Sequence, residues 1–99
     1  MIHVVAFLTA QPGKRSELLA AVRGNLEAVL AEHGCIEYGP AIDSHGSPAQ
    51  FGEDVIVVLE KWRDMDALMA HAKAPHMAAF GAATKALVAG RKIHILQPA

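Results

Sequence analysis

The stretch Asp54-Val55-Ile56-Val57-Val58-Leu59-Glu60-Lys61-Trp62-Arg63 decides the fold. β-Branched and aliphatic side chains fill it, which predicts a strand. Side chains alternate along a strand, so Ile56, Val58, Glu60 and Trp62 share one face, and Val55, Val57, Leu59 and Lys61 share the other. Both faces are mostly apolar. One can pack against helices. The other needs a second layer, and the simplest one is the sheet of another copy of the chain.

Upstream, Ile2 to Thr9 is a second apolar run, stopped by Gln11-Pro12-Gly13. It reads as a buried strand followed by a turn. From Lys14 the period changes to that of a helix, with Leu18, Leu19, Val22, Leu26, Val29 and Leu30 on one side and Gly34 as a left-handed stop. Cys35 to Asp43 reads as another strand. Pro40 within it predicts an edge position or a bulge. Ser44 to Glu53 is a polar loop to the strand quoted above.

Downstream, Asp64 can cap a short helix carrying Leu68, Met69 and His71. Pro75 suits the first turn of a further helix with Met77, Phe80, Thr84 and Leu87 on one face, ended by Gly90. Lys92 to Leu96 forms the last strand. The order is β-α-β-β-α-β with the second helix in two pieces, a ferredoxin-like α+β arrangement in a single domain, residues 1–99.

The composition agrees. Hydrophobic residues make up 53% of 99 residues. A sphere this small cannot hide them all, so an apolar surface should meet a partner subunit, giving a homodimer or a higher assembly. Nine basic residues against ten acidic ones, in no long run, speak against nucleic acid and against a polybasic membrane anchor. No apolar stretch has the length of a membrane span, and the N-terminus lacks the pattern of a secretory leader, so the expected compartment is cytoplasmic. The lone Cys35 reads as a small apolar side chain rather than a reactive thiol.

A set of short stretches resembles the antibiotic biosynthesis monooxygenase (ABM) domain family. They are Pro12-Gly13-Lys14, Gly34-Cys35, Glu60-Lys61-Trp62, His71 and Pro75-His76-Met77. Tyr38-Gly39-Pro40-Ala41-Ile42-Asp43 and Ile93-His94-Ile95-Leu96-Gln97-Pro98 are similar to its quinol monooxygenase branch. The resemblance implies a dimeric α+β barrel of antiparallel sheets, with a pocket between helices and sheet in each subunit. It implies oxidation of a quinol or polycyclic phenol by molecular oxygen with no metal or flavin cofactor. Relatives degrade haem or isomerise small sugar-like metabolites. Haem degradation fits poorly, because Met1 to Ala10 holds no asparagine and Met77 to Lys85 no histidine.

Oxygenation without a cofactor requires the substrate itself to become an electron-rich anion. That needs a general base near its working pH, a slot for an aromatic ring and exclusion of water. His71 and His76 are the candidate bases, and Glu60 can orient a histidine or balance its charge. Trp62, Tyr38 and Phe80 are the candidate substrate-binding residues. Each also has an ordinary structural use: a half-buried helix histidine, a capping histidine, a core tryptophan, a carboxylate bonded to backbone. No histidine pair has HExxH spacing, and His71 and His76 are five apart, so the spacing offers no metal motif. An isomerase using the same base, or a non-catalytic ligand-binding or stress-response dimer, fits the same residues.

Overall fold

The computed structural model of the protein describes residues Met1–Ala99 throughout. Its elements are β1 (Ile2–Ala10), α1 (Arg15–Leu30), β2 (Cys35–Ala41), β3 (Val55–Trp62), α2 (Met65–Ala72), α3 (Pro75–Thr84) and β4 (Val88–Leu96). The strands form one antiparallel sheet in the order β2-β3-β1-β4. The ferredoxin-like α+β fold expected from the sequence is therefore the one observed. No helix is long and apolar enough to cross a membrane.

Alternation along the two central strands sets the layers. Val4, Ala6, Leu8 and Ala10 of β1 and Ile56, Val58, Glu60 and Trp62 of β3 are buried beneath the helices. Leu18, Val22 and Val29 of α1 and Ala67 and Leu68 of α2 close the core from above. Leu30, at the end of the apolar stripe of α1, stays exposed. The opposite sheet face carries Val5, Phe7, Val57 and Leu59. Nothing but the Ser44 to Glu53 loop lies over it: Phe51 sits edge-on to Phe7, ring centres 4.9 Å apart.

β2 is an edge strand with a register shift between Cys35 and Glu37, which suits the proline at position 40. It ends at Ala41, short of Asp43, whose carboxylate instead takes the Gly52 amide at 2.9 Å and closes the loop. The last strand begins at Val88 rather than Lys92, and Gly90 lies within it, opposite Thr9. The cause is local. Thr84 turns its hydroxyl back onto the Phe80 carbonyl, and the amides of Leu87 and Gln11 bond the carbonyls of Thr84 and Leu87. That turn ends α3 six residues before Gly90 and pins the chain beside the end of β1.

One junction places the site. Gly34 holds φ at 84° after α1, and a Cβ there would lie 2.6 Å from the Cβ of Ala67. The turn can therefore press against the first turn of α2, which Asp64 caps through the Ala67 amide at 2.8 Å. The amide of Arg63 bonds the Gly34 carbonyl at 2.8 Å and fixes the contact. Glu32 in that turn then faces His71, two turns of helix further on.

Candidate active site

Glu32 is the centre of the site. Its Oε2 lies 2.7 Å from Nδ1 of His71 and 2.9 Å from Nε2 of His76. A carboxylate only accepts, so each ring nitrogen donates its proton to it. The Glu32 and His71 side chains are nearly buried, while that of His76 is 27% exposed. With Nδ1 of His71 protonated, Nε2 carries the lone pair. Nε2 makes no bond within the chain, and no buried side-chain nitrogen or oxygen goes unpartnered. Nε2 therefore opens onto the cavity that His71 lines.

Trp62 fixes the ring from below. It is fully buried, and its indole lies 4.6 Å from the His71 ring, tilted by 36°. Its Nε1 donates to Oε1 of Glu60 at 2.9 Å, satisfying a carboxylate that shares its strand face. Burial raises the Glu60 pKa, with Glu32 adding to it, and the Trp62 bond and the nearby His71 oppose the rise. Tyr38 pairs with Glu60 across the β2–β3 ladder and stands edge-on to His71 at 5.6 Å. Burial first, then Glu60 and Glu32, push its phenol far up, so it stays a neutral donor. Its hydroxyl has no partner in the chain and is not sealed from solvent, and the Tyr38 side chain lines the cavity.

The cavity, about 330 Å³, lies between the helices and the sheet. Ligand sites run from roughly 300 to 1,000 Å³, so this space suits one small ligand. Val4, Val58, Leu68, Met77 and Phe80 make most of the wall apolar, and Glu60, His71 and Tyr38 gather at one end. Arg91 enters the lining from β4, opposite Leu8, while Glu60 pairs with Val4. Four residues of strand separate those two positions, roughly 13 Å. Ile93 and Ile95 line the cavity yet are more than half exposed, so its mouth lies along β4.

The six residues singled out in the sequence divide as follows. His71, Glu60, Tyr38 and Phe80 line the cavity. Trp62 lies beneath His71 and outside the wall, and His76 meets Glu32 from outside the cavity. Sequence reasoning missed Glu32, Asn25 and Arg91. Glu32 did leave a signal: a carboxylate just past the C-terminus of a helix opposes the dipole and needs a compensating partner. Asn25 donates to the sulfur of Met77 at 3.3 Å and ties α1 to α3.

The chain matches the model of the antibiotic biosynthesis monooxygenase family over residues 1–83. The chain belongs to that family. Among its relatives, the Escherichia coli protein named "Probable quinol monooxygenase YgiN" is 34% identical over 102 residues, spanning 99% of this chain and 98% of that one. PA3566 from Pseudomonas aeruginosa is 28% identical and superposes with a TM-score of 0.85 over 99% of this chain and 93% of its own. Rv0793 from Mycobacterium tuberculosis is 25% identical with a TM-score of 0.82, covering 99% and 94%. These family members share the whole chain, not a fragment of it.

Proposed function

We propose that the protein is a cofactor-independent monooxygenase that oxidises a quinol or phenolic substrate with molecular oxygen. The observation that carries the reading is the free Nε2 of His71 at the polar end of an apolar cavity, its other nitrogen tied to Glu32 at 2.7 Å. The family and the name of the Escherichia coli relative favour the same substrate class.

The ring of the substrate lies against Phe80, Leu68 and Met77. Nε2 of His71 takes the proton of the substrate hydroxyl, and the Glu32 carboxylate stabilises the imidazolium that forms. The Tyr38 hydroxyl donates to the oxyanion. The electron-rich anion passes an electron to dioxygen, and the two radicals join to form a carbon–oxygen bond and a ring peroxide anion. His71 returns its proton to give the hydroperoxide, the ring carbon gives up its hydrogen as a proton while the oxygen–oxygen bond breaks, and the departing hydroxide takes up that proton. One oxygen atom stays on the ring as a quinone oxygen, and the other leaves as water. The substrate supplies every electron, so the balance needs no external reductant. Apolar walls keep water from the anion.

Incorporation of label from ¹⁸O₂ into the quinone product, followed by mass spectrometry, tests this reaction. One labelled oxygen per product is expected. Turnover that persists without oxygen would instead mark an isomerase using the same base.

The open sheet face is the surface for a second copy. Leu59 is 47% exposed there, beside half-buried Val5, Phe7 and Val57. Pairing two such faces makes a homodimeric barrel and leaves each cavity on its own helix side.

A further inference from the structure

His76 takes no proton in the reaction above, yet it is held on the same carboxylate oxygen as His71. We propose that Glu32, His71 and His76 form a binding site for a divalent first-row metal ion, Zn²⁺ foremost, and that the ion switches the base off. The second half rests on the proposed role of His71, and the first does not.

The donor set is two imidazole nitrogens and one carboxylate oxygen, all within 4.8 Å of one another. Two nitrogens and an oxygen around Zn²⁺, with water as the fourth ligand, is an ordinary tetrahedral set. The three side chains come from the turn after α1, from α2 and from the first turn of α3, so the fold gathers them before any ion arrives. Zinc bonds of about 2.0–2.1 Å place ligand atoms roughly 3.3 Å apart. The two N···O separations of 2.7 and 2.9 Å must therefore open by about half an ångström, and the two ring nitrogens, up to 4.8 Å apart, must draw together to roughly 3.3 Å. His76 is the one to yield, because it is the most exposed of the three and sits beside Pro75 at the helix start. The same exposure gives the ion its way in.

The ion would lie behind His71 as seen from the cavity, since neither Glu32 nor His76 lines it. No open coordination position would face the substrate, which makes the ion a regulator rather than a participant in oxygen chemistry. Its effect on the base follows from counting protons. A neutral imidazole has one N–H. Here it is on Nδ1, and Nε2 has the lone pair. When the metal takes Nδ1, the proton must reside on Nε2. The nitrogen facing the cavity then donates and can no longer accept. Metal binding and base function exclude each other.

The test is titration of chelator-treated full-length protein with Zn²⁺ by calorimetry and with Co²⁺ by visible absorption, without substrate. The expected result is one ion per chain and the intense visible bands of four-coordinate Co²⁺. Glu32→Ala and His76→Ala should each weaken binding more than the roughly 10–100-fold that losing a supporting partner costs. Circular dichroism checks that both variants fold, and His76→Gln serves as a second variant of that ligand. Absence of stoichiometric binding, or binding that these substitutions leave unmoved, overturns the site. Saturating Zn²⁺ should also abolish oxygen uptake, and uptake unaffected by a bound ion overturns the switch. Should the protein oxidise no quinol at all, the proposed reaction fails, while the titrations still decide the metal site.

Discussion

Glu32 and His71 are 39 positions apart in the chain, yet Oε2 of one lies 2.7 Å from Nδ1 of the other. The contact selects the tautomer of His71 and aims its second nitrogen at the cavity. It exists because a glycine turn lets the end of α1 rest on the start of α2. Removing the charge while keeping the shape should expose its role. In Glu32→Gln we expect kcat for quinol oxidation to fall at least about tenfold with KM little changed, because the imidazolium loses its counter-charge. Steady-state oxygen uptake measures this, and an unchanged kcat would assign Glu32 a purely structural role.

Gly34→Ala should destabilise the fold by about 1–3 kcal/mol, from a left-handed backbone that alanine disfavours and a clash with Ala67. Urea unfolding reads the loss. A midpoint unmoved from wild type would mean that the turn packs less closely on α2 than described.

Glu60 carries a pH prediction. Its folded-state pKa lies above its unfolded value, chiefly through burial. The folded state therefore binds the proton more tightly, and the favourable contribution is complete below the unfolded pKa. It is lost as pH rises through the folded pKa. Glu60→Gln keeps an acceptor for Trp62 and abolishes the titration. The variant should be more stable than wild type at neutral pH, and its stability should vary less with pH just above the ordinary carboxylate range. Thermal melts across that range check this, and parallel curves for the two proteins would contradict it.

Leu59→Glu places a charge at the centre of the open sheet face. We expect the wild-type protein to sediment as a dimer and the variant as a monomer with the same circular dichroism. A monomeric wild type would remove the proposed barrel.

The fold was legible because its signals are periodic. Alternation in β1 and β3 and the apolar stripe of α1 each repeat several times over, so a single exception such as exposed Leu30 does not obscure them. Boundaries fared less well where the deciding contact is distant. Val88-Ala89-Gly90 resembles a helix tail until the Gln11 amide bonds the Leu87 carbonyl and draws the segment alongside β1. The site was legible in part. His71 and Glu60 stand out as polar residues at apolar positions, and the structure puts both in the cavity wall. Glu32 shows locally only as a carboxylate opposing the dipole at the end of α1, and its partners His71 and His76 lie on helices dozens of residues away. Arg91 carries no local signal, and only the pairing of β4 with β1 places it opposite Leu8 in the lining.

The most direct test of the account is oxygen uptake by chelator-treated protein with a panel of reduced quinones, corrected for autoxidation and repeated with His71→Ala. The account predicts uptake well above background in wild type and a fall of about 100-fold or more in a variant that folds normally. Equal uptake by wild type and His71→Ala, or none by either, would contradict it.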